Sequence, residues 1–143
     1  MIKYYIAKIT VDKGRYEDNR AYMEKAISFT NYEKVFQWLK GQKLYYEEAL
    51  KFLETKLREI NLWKYYPYSF KHESEPIEKE FKINYPNINY ETFEELNEIR
   101  FGIFEIVIGK EYLSDPTSYW GTNDVGTEIE ISNFTNIRPK FDK

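Results

Sequence analysis

Residues 101–109, FGIFEIVIG, are the stretch on which the fold turns. In an extended chain Phe101, Ile103 and Val107 point to one side, and Phe104, Ile106 and Ile108 to the other. Only Glu105 interrupts the apolar run, so the segment reads as a strand covered on both faces, bracketed by Gly102 and Gly109. A membrane span needs about 20 apolar residues, which this run does not reach. The other elements are expected to form around this strand.

Before it, residues 4–11 alternate as a strand, with Tyr5, Ala7, Ile9 and Val11 on one face and Lys8 and Thr10 on the other. Residues 20–29 have two readings. As a strand they hairpin back onto the first; as a helix they gather Tyr22, Met23, Ala26 and Ile27 on one side. The extended character of Ile27-Ser28-Phe29-Thr30 favours the hairpin.

Thr30-Asn31-Tyr32-Glu33 then has the form of a capping box. The helix behind it carries Tyr32, Val35, Phe36 and Leu39 at helical spacing and is expected to stop at Gly41. A second helix is expected over 44–60, with Tyr46, Ala49, Leu50, Leu53, Leu57 and Ile60 as its stripe, antiparallel to the first. Residues 61–70, NLWKYYPYSF, are aromatic without a period and read as irregular. Pro76 suits a first helical position, so PIEKEF reads as one helical turn. Thr92-Phe93-Glu94-Glu95 has the form of another capping box, opening a short helix to about Ile99. Residues 115–127 read as a loop and 128–131 as a short edge strand that would allow a homodimer. The expectation is a single α+β domain over 1–143: an antiparallel sheet of three to four strands with two to three helices mostly on one face.

Composition narrows the class. Apolar residues make up 42% of the 143 and aromatics 19%, which excludes wholesale disorder. With 14 Tyr and 10 Phe, the core relies on rings, and tyrosines at a half-apolar surface suit a binding face. Cysteine is absent, which removes disulfides and thiolate metal sites. Lys3, Lys8 and Asp12 interrupt any signal-peptide core, so a soluble cytoplasmic protein without a membrane segment is expected.

Catalytic chemistry has few candidates. The one histidine, His72, stands in a polar loop without a nucleophile motif. Glu105 could serve as a general acid or base, or pair with a cation on a neighbouring strand. Asp115, Asn123 and Asp124 lack calcium-loop spacing, and no glycine pattern cradles phosphate. No metal, cofactor or enzymatic activity is therefore expected.

Charge is distributed unevenly behind the formal net of −3. Residues 1–72 hold fourteen Lys/Arg against nine Asp/Glu, whereas residues 73–98 hold eight Glu against Lys79 and Lys82. Within that acidic block, Glu91, Glu94, Glu95 and Glu98 recur at i, i+3, i+4 and i+7, which on a helix makes one charged stripe. Such a stripe suits the cationic groove of a nucleic-acid-handling protein. Tyr119 and Trp120, in a glycine-flanked loop, are the candidate aromatic anchor. Direct binding of single-stranded nucleic acid is disfavoured, because Lys and Glu alternate along the helices and no face collects cations.

The opening KYYIAKITVDKGRYEDNRAYMEKAISFTNYEKVFQWL resembles small accessory proteins of bacteriophages and prophages of low-GC Gram-positive bacteria. Gly14, Tyr16, Glu17, Asp18, Ser28, Phe29, Glu33 and Lys34 carry that resemblance, over about the first 40 residues. It implies a protein that binds and inhibits a host protein, in the manner of anti-CRISPR inhibitors; with the acidic stripe, the expected mode is occlusion of a basic surface. The alternatives are a toxin-immunity or structural interaction module, a single-stranded nucleic-acid binder, and a carboxylate enzyme using Glu105.

Overall fold

The computed structural model describes residues 2–14, 20–63, 74–111 and 126–140. Its architecture is α+β: a four-stranded antiparallel sheet with two helices. The strands are β1 (Lys3–Lys13), β2 (Arg20–Phe29), β3 (Leu96–Val107) and β4 (Thr127–Ile129), in the spatial order β2-β1-β3-β4. The helices are α1 (Tyr32–Glu59) and α2 (Glu75–Asn84), and a 3-10 turn, Tyr90–Phe93, precedes β3.

The apolar stretch lies where its composition requires. β3 pairs with β1 from Lys3↔Val107 to Lys13↔Leu96. On its other side it pairs with β4 at Ile103↔Ile129, and with the C-terminal tail at Ile99↔Ile137. The tail also offers Asn136 Oδ1 to the Phe101 amide at 3.2 Å, so β3 has hydrogen-bond partners along both edges. Its two-sided apolar pattern is matched by burial. Ile99, Phe101 and Ile103 join Ala7, Ile9 and Val11 in the core, and Phe104 and Ile106 are buried on the opposite face.

Residues 20–29 are a strand, and α1 covers the core face of the sheet behind it. The two expected helices are one. Gly41 does not end α1, because the buried stripe Val35, Leu39, Tyr46, Ala49, Leu53 and Leu57 stays in phase across it. A Cβ at Gly41 would meet nothing within 4 Å, so this glycine sits on the open side of the helix. There it costs only about 1 kcal/mol relative to alanine, too little to break a helix anchored on both sides. The N-cap is Asn31 rather than Thr30: its Oδ1 accepts from the Lys34 amide at 3.2 Å. Glu33 accepts from Gln37 at 2.9 Å instead of turning back to complete a box.

The expected turn at PIEKEF is a ten-residue helix, α2, with Pro76 in its first turn. Its Phe81 is fully buried and brings rings together from three segments. Ring centroids lie at 5.3 Å (Tyr85), 5.4 Å (Tyr90), 5.7 Å (Phe93) and 6.3 Å (Phe52). This aromatic knot closes the end of the core and fixes α2 and the 3-10 turn against α1. The tail straps the other side, where Trp63 Nε1 donates to the Lys140 carbonyl at 3.0 Å.

The helix expected over 92–99 does not form. Asn89, not Thr92, caps the segment, with its Oδ1 accepting from the Glu91 amide at 3.0 Å. Only the 3-10 turn follows before the chain enters β3 at Leu96. An isolated helix of eight residues is marginal, whereas β3 gains a continuous antiparallel ladder with β1. The ladder wins.

Candidate functional site

Two β-bulges shape the end of the sheet next to the 3-10 turn. In the β1–β2 pair, Ile9↔Lys25 is followed by Thr10↔Met23, which leaves Glu24 as an extra residue. In the β1–β3 pair, Asp12↔Glu98 is followed by Lys13↔Leu96, which leaves Asn97 extra. The first bulge aims the Glu24 carboxylate into the protein. One oxygen accepts from the hydroxyl of Tyr46 on α1, and the other from the hydroxyl of Thr92 on the 3-10 turn. Both donors are buried, so one carboxylate ties three elements together.

Surrounding ionisable groups respond to this enclosure. Burial pushes the Tyr46 phenol far above its ordinary value, and the bond to Glu24 adds to the shift. Burial also raises Tyr22, with Glu24 contributing further. Lys25, next along β2, donates to Gln42 at 3.2 Å and lies 5.2 Å from the Tyr46 ring centroid; burial lowers its pKa.

Lys13 holds the turn from the other side. Its ammonium donates to the Glu91 carbonyl, and the Gly14 amide donates to the Glu95 carbonyl at 2.9 Å. Burial lowers the Lys13 pKa, against the pull of Glu94, Glu95, Glu24 and Glu91. Glu95 adopts a left-handed φ of 54°, a conformation that costs a non-glycine residue roughly 1–2 kcal/mol. The Gly14 bond and the adjoining ladder hold it there.

The carboxylates expected on one helical stripe are distributed differently. Glu91 lies in the 3-10 turn, Glu94 caps it, and Glu95 forms the bend into β3. Glu78 of α2 stands in electrostatic reach of this group. The Glu94 carboxyl is raised by burial, and by Glu91, Glu78 and Glu95, against an opposing pull from Lys13. Folding therefore makes an acidic corner from two segments.

Glu98 leaves the set. It is buried in β3, with Arg100 Nε at 2.6 Å, a second bond from Arg138, and Arg100 continuing to Asp12 at 3.5 Å. Burial alone would raise its pKa, but the two arginine hydrogen bonds outweigh it and hold the carboxyl below the usual range. Glu98 is a structural ion-pair centre and no part of an exposed stripe.

Tyr119 and Trp120 lie outside the described residues, as do His72, Asp115, Asn123 and Asp124. Glu105 takes the cross-strand pairing, with its carboxylate 3.4 Å from Lys3 Nζ and its side chain 30% exposed. The expected edge strand at 128–131 is the three-residue β4 at Thr127–Ile129.

Sequence reasoning missed Tyr22, Glu24, Lys13 and Glu78. A signal for the bulge exists: Phe29, Ile27 and Lys25 share one phase of β2, and Tyr22 rejoins it only if one residue is inserted. Tyr22, 39% exposed, stands beside the latched turn with its hydroxyl bonded to Thr92, whereas Met23, 53% exposed, pairs with Thr10 and faces the other side of the sheet.

Concavities are also present among the described residues. A cleft of about 200 Å³ opens on the sheet face opposite α1, between Lys8, Thr10, Arg100, Gly102, Phe104 and Glu128. A shallow groove between α1 and α2 is floored by Phe52 and Tyr85. Among the described residues, no group of three or more His, Asp or Glu is arranged to hold a metal ion. No described helix is long and apolar enough to cross a membrane. No family model, curated protein or solved structure matches the chain.

Proposed function

We propose that this chain is a phage-type accessory protein that inhibits a host protein by binding it, setting its acidic corner against a basic, nucleic-acid-binding surface of the partner. The observation that carries this reading is the convergence of Glu91, Glu94 and Glu95 of the turn with Glu78 of α2; burial first, and these neighbouring carboxylates second, raise the Glu94 carboxyl against the pull of Lys13. Lys82 pairs with Glu78 at 3.1 Å and Lys13 offsets part of the remaining charge, so a partner's Arg or Lys would act on the excess carboxylates of Glu91, Glu94 and Glu95. The bonds from the Thr92 hydroxyl to Glu24 and from Lys13 to the Glu91 carbonyl hold the turn in place before any partner arrives, which lowers the ordering cost of binding. Tyr22 supplies an aromatic contact beside the charges.

The test is capture of partners from a low-GC Gram-positive lysate on immobilised protein, washed at rising salt. The same capture is run with Glu91→Lys/Glu94→Lys and with Tyr22→Ala. The expected result is a stoichiometric nucleic-acid-binding protein that is released by salt and lost with the double charge reversal. Retention within a factor of two by the double reversal would remove the acidic corner from the reading. A partner held equally at all salt concentrations would favour an immunity or structural module. Recovery of RNA or DNA alone would favour a nucleic-acid binder.

A further inference from the structure

We draw no further inference here: the strongest candidate, the cleft on the sheet face opposite α1 between Lys8, Thr10, Arg100 and Glu128, carries no ligand assignment because Lys8 rests on the Phe104 ring, Arg100 is already paired with Glu98 and Asp12, and nothing in the structure shows what would fill it.

Discussion

Replacing Glu24 with alanine removes the acceptor for two buried hydroxyls, those of Tyr46 and Thr92, which are 0% and 2% exposed. Hydrogen bonds to a charged group contribute roughly 1.5–3 kcal/mol each, and a buried donor left unsatisfied costs about 1–3 kcal/mol. The carboxylate is itself only half-buried and regains water in the unfolded chain, which places the expected loss for Glu24→Ala at about 2–4 kcal/mol. Tyr46→Phe keeps the ring against Phe93 and removes one donor while Thr92 remains, so its loss is expected near 1.5 kcal/mol. Because both changes cut the same bond, the double variant should fall short of additivity by about 1 kcal/mol or more. Urea unfolding of the four proteins, followed by fluorescence and circular dichroism, measures these differences if the transition slopes agree. A Glu24→Ala protein within 0.5 kcal/mol of the parent, or strict additivity in the cycle, would refute the latch. Glu24 would then be an ordinary bulge residue.

Phe81→Ala should cost about 3–5 kcal/mol, since the ring is fully buried among four others; a loss under 1 kcal/mol in the same assay would mean the aromatic knot does not hold α2. Two glycines should respond in opposite directions. Gly41→Ala is expected to stabilise by about 0.5–1 kcal/mol. Gly126→Ala should destabilise by more than about 1 kcal/mol, because φ is +105° and its Cβ would lie 2.7 Å from the Glu105 carbonyl oxygen. Matching signs in thermal melts would contradict the local geometry. Glu98 is depressed in the fold, so its contribution is present above its unfolded pKa and is lost as pH falls through the lower folded value. Glu98→Gln should therefore flatten the acid limb of the stability profile, and an unchanged limb would count against the arginine pairing. Glu94 has the opposite sign. Its folded pKa is raised, so stability declines as pH rises from the unfolded to the folded value, and Glu94→Gln should stabilise at neutral pH while leaving acid stability unchanged.

Much of the architecture was legible because it rests on local periods. The alternation of β1, the two-faced apolar run of β3 and the 3.6-residue stripe of α1 each depend on which side chains must leave water, and neighbouring residues suffice to show that. Errors arose where two local patterns competed. Gly41 is a good helix terminator by residue type, but the stripe on either side of it is in phase, and burial along the whole of α1 outweighs one glycine. Glu91, Glu94, Glu95 and Glu98 fit a helical face equally well in sequence. Pairing with β1 pulled Leu96 and everything after it into the ladder, and the bulge at Asn97 put Leu96 and Ile99 into one core.

What the sequence by itself determined is the strand character of β1 and of the apolar part of β3 and the buried stripe of α1, together with the acidity of residues 73–98. Only the tertiary structure decided which of those acids meet. It buried Glu98 between two arginines, joined Glu78 to Glu91, Glu94 and Glu95, and turned Glu24 inward onto Tyr46 and Thr92. The physical reason is range. Periodicity is set by residues a few positions apart, whereas a carboxylate's environment is set by groups as far away as the 68 positions between Glu24 and Thr92, and only the packed chain brings those together.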